Sequence, residues 1–314
     1  MTIASTPQWA WMNGEFIPFD QCRLHVRTQA VALAASVFEG VRAYWNPEQE
    51  QLYTFELDRH VARLAESMKI MRMRTEIPAG FAATCVELLA RNGFREDVHY
   101  MPTAYLGIPD GNIAMGPTAD EGLFITAVAR PPGKALHAGK SVCVSSWRRI
   151  SDSSVPPRVK AAGNYQNSRL ALHAAWADGY DDAVLLNANG TVAEAAGSCL
   201  MMVRGGEVCT PPVTAGILES ITRSALIRLF HEKLDRRVVE REIDRTELYV
   251  AEEVFLCGSG MEVVPVTSVD RLSVGSGGKG PVTAAIQDAY FRVARGQDNA
   301  HPEWRTAVYR RAAG

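Results

Sequence analysis

The stretch DAVLLNANGTVAEAAGSCLMMVRGGEVCT, residues 182–210, constrains the fold of this chain more than any other. Its apolar runs are too short for helices, and Asn189-Gly190 and Gly205-Gly206 interrupt them with the residues that tight turns require. The pattern predicts strand, turn, strand, turn, strand, which commits this part of the chain to an antiparallel sheet. Segments of helical period surround it. NSRLALHAAWADGY predicts a helix ending at Gly179, ITRSALIRLFHEKL an amphipathic helix, and GPVTAAIQDAYFRVARG a last one. EEVFLCGSGMEVVPV supplies two further short strands. Antiparallel runs mixed with helices indicate an α+β fold rather than a doubly wound sheet.

The first part of the chain reads in the same way. WAWMNGEFIP alternates about Asn13-Gly14 and predicts a hairpin. LDRHVARLAESMKIMRM places Leu57, Val61, Leu64, Met68 and Met71 on one helical face. A second helix is expected between Gly80 and Asn92, then strands at YMPTAYLGI and LFITAVAR. PPGKALHAGK concentrates proline and glycine and reads as a linker. The expected division is therefore a small domain over 1–130, a linker over 131–142 and a larger domain over 143–314. A chain of 314 residues accommodates two such cores.

Composition excludes several function classes. A net charge of -2 argues against a nucleic-acid partner, which needs a basic face. No apolar run reaches the length of a membrane span, and the first twenty residues lack the pattern of a secretory signal. Six cysteines stand without a C-x-x-C pair, which fits reduced thiols in a cytoplasm better than disulfides or a metal site.

GSGGKG, residues 275–280, matches a dinucleotide-binding glycine pattern and precedes a helix. It lacks the following strand and the acidic residue that such a site needs, so a turn is the better reading; a binding protein built on it is the non-enzymatic alternative. SVPPRVKAAGNYQNS, residues 154–168, raises a sharper question. Ala161, Ala162 and Gly163 leave room for something flat beside Lys160. A partly desolvated lysine becomes a nucleophile able to condense with an aldehyde, although a solvated strand-end lysine is the commoner fate. Glu194 sits among Val192, Ala193, Ala195 and Ala196 and needs a partner, either an arginine or a protonated ring nitrogen. Ser220, Ile221 and Thr222 open a helix, where a hydroxyl serves as an N-cap or as part of a phosphate site. Gly258-Ser259-Gly260 is either a second anion-holding turn or a plain one. Lysine for an aldehyde, carboxylate for a ring nitrogen and amides for a phosphate together specify pyridoxal phosphate.

With these residues in place, the chain resembles the class IV (fold type IV) pyridoxal-phosphate aminotransferases, most closely the branched-chain amino-acid aminotransferases. The resemblance runs through WMNGEF, SVFEGVRAY, RHVARLAESMKIM, VSSWRR, KAAGNYQNS, AEAAGSCL, TPPVTAGILESITR, GSGMEVVPV and HPEW. It implies two α/β domains joined by a short linker, with pyridoxal 5'-phosphate between them. It further implies that Lys160 forms the Schiff base and shuttles the proton, that Tyr165 bonds the cofactor's phenolic oxygen, and that Glu194 holds its ring nitrogen. Arg63, Ile221, Thr222 and Ser259 would hold the phosphate, and Leu218 would lie on the ring. Phe38, Gly40, Tyr100, Trp147, Gly260 and Met261 would line the substrate pocket, and no metal is implied.

Such an enzyme transfers an amino group between an amino acid and a keto acid, and is a homodimer or larger whose LGIPDGNIAMG loop reaches the neighbour's pocket. The alternatives of the same fold are a D-amino-acid or (R)-selective amine transaminase and an aminodeoxychorismate lyase. Three departures stand out. Cys199 replaces the usual asparagine, ALA (32–34) replaces a His-Tyr-Gly segment, and Pro102 replaces an arginine. Since neither Leu33 nor Pro102 can hold a carboxylate, apolar L-amino acids are expected to outrun glutamate.

Overall fold

The computed structural model describes residues 7–111, 113–118 and 120–309. They form two compact units. The first draws its described residues from 1–131, 159–163 and 292–314, and the second from 132–158 and 164–291. Both units are discontinuous in sequence. The segment expected as a linker contains a short helix, Ala135–Ala138, and the start of the strand Lys140–Arg148.

Among the described residues the first unit holds an eight-stranded sheet. Its order is Arg305–Ala307, Gln51–Phe55, Val41–Asn46, Val98–Tyr105, Gly122–Ala129, Trp9–Met12, Glu15–Pro18, with Ser36–Phe38 paired to Val98–Tyr105. All of these pairings are antiparallel. The expected hairpin forms, with Met12 opposite Glu15 and the turn carried by Asn13 and Gly14, both at positive φ. One face of the sheet, bearing Val37, Val41, Ala43, Val98, Ala104 and Ile125, packs with Leu57, Leu64, Met68, Leu88 and Leu89. The last five come from the helices Leu57–Ile70 and Phe81–Asn92, the first of which buries Leu57, Leu64 and Met68 of the predicted stripe.

The second unit holds a nine-stranded sheet ordered Val192–Ala195, Asp182–Leu186, Lys140–Arg148, Glu262–Val269, Glu253–Gly258, Cys199–Arg204, Glu207–Thr210, Val238–Glu240. A short strand, Leu272–Ser273, adds to Glu262–Val269. Three pairings are parallel and the rest antiparallel. The 182–210 segment has one more break than the sequence suggests, and the strands on either side of it are not neighbours in the sheet. Ala195 N–H donates to the Ser198 carbonyl, and this turn divides the apolar run into the strands Val192–Ala195 and Cys199–Arg204. The helices Asn164–Ala177, Ile221–Leu234 and Pro281–Ala294 follow the predicted segments, and Gly179 lies at φ 80° beyond the first of them.

The GSGGKG segment has a structural explanation. The Glu253 carboxylate accepts from Val282 N–H at 2.9 Å, Thr283 N–H at 2.7 Å and Thr283 Oγ1 at 2.6 Å. The anion at this helix start is the protein's own. A Cβ on Gly280 would lie 2.1 Å from the Glu253 carboxyl carbon, so the glycine makes room for that cap.

Candidate active site

Lys160 belongs to the first unit, on a five-residue segment sewn onto its sheet. Phe38 N–H donates to the Lys160 carbonyl at 3.0 Å, and Ala162 N–H to the Ser36 carbonyl at 3.0 Å. Ala161 pairs with Val37 as an antiparallel bridge, and it is buried along with Val159. The small residues after Lys160 thus fit the segment against the strand Ser36–Phe38. The ammonium lies 4.9 Å from the Phe38 ring centroid. A Cβ placed on Gly40 would be 2.9 Å from His99 Nε2 and 4.0 Å from Lys160 Cε, so glycine keeps this approach open.

Register decides which neighbours share that face. Phe38 lies opposite Thr103, Arg42 opposite His99 and Val41 opposite Tyr100. Because side chains alternate along a strand, His99, Met101 and Thr103 share the face of Phe38. Tyr100 points the other way. It is 0% exposed within the core, and its hydroxyl is 2.6 Å from Thr54 Oγ1. The expectation that Tyr100 lines a substrate pocket is therefore corrected: its side chain is spent on packing. Pro102 and Ala104 share the face of Tyr100 and are buried, so Pro102 is equally unable to meet a substrate beside Phe38. His99 and Met101 are the residues that sequence reasoning missed. Burial, helped by Arg130, Arg42 and Lys160, lowers the His99 pKa to about 3, which leaves its imidazole neutral. Leu33 ends a short helix and is half exposed.

Arg63 is buried and pairs with Glu39. Its Nε donates to Glu39 Oε1 and its Nη2 to Glu39 Oε2, both at 2.7 Å. His60, one helical turn earlier, places Nδ1 2.6 Å from Glu39 Oε2. Burial alone would raise the Glu39 pKa, but Arg63 and His60 outweigh it and hold the value at about 2. Burial lowers the pKa of His60, against the pull of Glu39. A carboxylate can only accept, so His60 donates to it from Nδ1.

In the second unit Glu194 lies on the strand Val192–Ala195, 5% exposed. Arg149 Nη2 is 2.7 Å from its Oε1, and Leu218 N–H donates to its Oε2 at 3.1 Å. Cys199 Sγ lies 4.0 Å from the same Oε2 and 3.6 Å from the Leu218 carbonyl. Arg149 also donates from Nε to the Gly216 carbonyl at 3.1 Å. Of the two partners considered for Glu194, the arginine is present, and it too was missed in the sequence. These bonds tie the backbone of Leu218 to the carboxylate.

Ser220 is the N-cap of the helix Ile221–Leu234, its hydroxyl accepting from Arg223 N–H at 3.2 Å. Ile221 and Thr222 follow, buried in the first turn, where amides have no intrahelical acceptor. Ser259, Gly260 and Met261 form the turn between the strands Glu253–Gly258 and Glu262–Val269. Gly258 at its start lies against Ser198, whose buried hydroxyl has no hydrogen-bond partner among the described residues. A cleft of about 400 Å³ brings Tyr165 and Met261 together with Gly197 and Arg169. Trp147, near the end of its strand, is 44% exposed.

Comparisons with known proteins show the family of the chain. The family described as amino-transferase class IV matches residues 36–269. A probable branched-chain-amino-acid aminotransferase of Aquifex aeolicus (strain VF5) is 37% identical over 309 residues, covering 96% of this chain and 97% of that one. The crystal structure of a branched-chain amino acid aminotransferase from Thermobaculum terrenum, in its PLP-form, superposes with a TM-score of 0.90 at 40% identity, covering 97% of this chain and 99% of the other. That of a branched-chain aminotransferase from the thermophilic archaeon Thermoproteus uzoniensis, with norvaline, gives 0.89 at 35% identity, covering 96% and 100%.

Proposed function

The chain belongs to the amino-transferase class IV family, and from that premise we propose that it transaminates branched-chain and other apolar L-amino acids, with Lys160 and Glu194 as the residues that act on the cofactor. The observation that carries the reading is the pair of prepared groups: a lysine on a pinned segment behind an open glycine, and a buried carboxylate oriented from two sides.

The side chains present fit pyridoxal phosphate. The buried Ser198 hydroxyl, which has no partner among the described residues, the first-turn amides of Ile221 and Thr222 and the turn at Ser259 suit a phosphate and its surroundings. In this reading Lys160 would supply the amine that joins the cofactor, and Tyr165 would bond its phenolic oxygen. Arg63, Ile221, Thr222 and Ser259 would hold the phosphate, and Leu218 would support the ring. The cofactor supplies an aldehyde for the substrate amine and a ring that draws electrons from the bond to be broken.

The protein's own groups do the rest. The Lys160 amine would take the proton from the substrate's α-carbon as base and later give it up as acid. Glu194 holds a proton on the ring nitrogen, and Arg149 offsets the cost of burying that carboxylate. Phe38, Gly40, His99, Met101, Trp147, Gly260 and Met261 are assigned to substrate binding. Met101 carries neither charge nor a donor, so it takes over from Pro102 the argument against a well-seated glutamate side chain. The chain is read as a cytoplasmic homodimer; its cysteines, which form no disulfide among the described residues, and the exposed Ile113 and Met115 of the 106–116 loop support this. Asn112 of that loop lies outside the described residues. No helix among the described residues is long and apolar enough to cross a membrane.

Separate half-reactions with L-leucine, L-glutamate and D-alanine test the substrate assignment. L-Leucine is expected to convert fastest. Faster conversion of D-alanine would favour the D-selective alternative, and equal rates for glutamate and leucine would remove the argument from Met101.

A further inference from the structure

We propose that Glu39 is a positioning residue for cofactor binding: its buried carboxylate fixes the plane and direction of the Arg63 guanidinium, so that arginine meets the phosphate already oriented. The proposal rests on the reading of Arg63 as a phosphate ligand.

The geometry is that of a built device. Glu39 is fully buried, and its own N–H donates to the Pro102 carbonyl at 2.8 Å, so its backbone is fixed to the sheet. Its two oxygens accept from Nε and Nη2 of Arg63 in a parallel fork, the arrangement that defines a guanidinium plane. His60 Nδ1 bonds Oε2 and prevents the carboxylate from turning. His60 and Arg63 are three residues apart on one helix face, so a single helix presents both donors.

Stability alone does not require such a pair, because well-packed apolar residues of the same volume usually serve as well. Arginine's long chain loses considerable rotamer freedom when it is ordered. Here that ordering occurs on folding, so the phosphate need not impose it. The fork also neutralises much of the net charge of Arg63, which leaves a directional hydrogen-bond donor rather than a bare cation.

The test compares pyridoxal phosphate with pyridoxal, which lacks the phosphate. Dissociation constants of both are measured by fluorescence quenching on cofactor-free protein, and the ratio of the two isolates the phosphate's contribution. Glu39→Gln is expected to reduce the preference for the phosphorylated form about tenfold, the scale of a charge-assisted hydrogen bond. Arg63→Gln should reduce it at least as much, and the double variant no further. Glu39→Asp, which withdraws the carboxylate by about 1.5 Å but keeps the charge, should fall between. If Glu39→Gln does not fold, the aspartate variant decides by the same ratio. A full preference in the Glu39 variants, with a lost one in Arg63→Gln, overturns the proposal, as do additive losses in the double variant. A full preference in Arg63→Gln instead refutes the assignment of Arg63 to the phosphate.

Discussion

Replacing Arg149 with methionine tests how Glu194 is kept in place. The wild-type pair is almost dry, with side chains 6% and 7% exposed at 2.7 Å. Methionine fills much of the arginine's volume without its charge. Glu194 then keeps Leu218 N–H and the distant Cys199 thiol, and Gly216 loses the Arg149 Nε donor. Stranding one partner of a buried pair costs about 3–5 kcal/mol. For a unit of roughly 150 residues, each kcal/mol shifts the midpoint by about 2–4 °C, so Arg149→Met should melt about 10 °C lower. Adding Glu194→Gln removes the stranded charge and should restore about 2 kcal/mol. Scanning calorimetry of the cofactor-free protein reads both effects without the added stability of a bound ligand. A loss under about 2 °C, or a double variant no more stable than Arg149→Met, would refute the reasoning, since each means the carboxylate does not depend on the arginine.

Other outcomes follow from the same coordinates. Tyr100→Phe should leave the KM for L-leucine within about twofold while lowering stability by about 1 kcal/mol through the lost Thr54 bond. Met101→Arg should raise the ratio of glutamate to leucine turnover about tenfold or more, and an unchanged ratio would place Met101 outside the substrate's reach. Glu39 has its folded pKa lowered from 4.5 to about 2, so its contribution is full above pH 4.5 and is lost as the pH falls through 2. That contribution is about 3 kcal/mol, and Glu39→Gln should flatten the fall of the wild-type melting temperature between those pH values.

Much of this fold is legible because local signals agree with the tertiary structure. Asn13-Gly14 can hardly be other than a hairpin turn, and the stripe from Leu57 to Met68 needs a core to face. The strand Val98–Tyr105 shows where legibility ended. Most of its residues are buried, so hydrophobicity does not separate its two faces, and motif matching placed Tyr100 along the strand without fixing its direction. The discriminating signal was available: His99 and Thr103 are polar, two positions either side of Met101, while Val98 and Ala104 mark the core side. Glu39 gave a comparable hint, as an acid within the apolar SVFEGV run that needs a buried partner. The pairing of Glu194 with Arg149 left no local trace, because forty-odd residues and a change of strand separate them.

Every role assigned around the cofactor depends on Lys160 being the amine that holds it. Reconstitution with pyridoxal phosphate, borohydride reduction and peptide mapping test it directly. A visible absorbance band is expected before reduction, and a single phosphopyridoxyl label on the peptide containing Lys160. Lys160→Ala should abolish both the label and multiple-turnover transamination. A label on another lysine, or full turnover in Lys160→Ala, would contradict it.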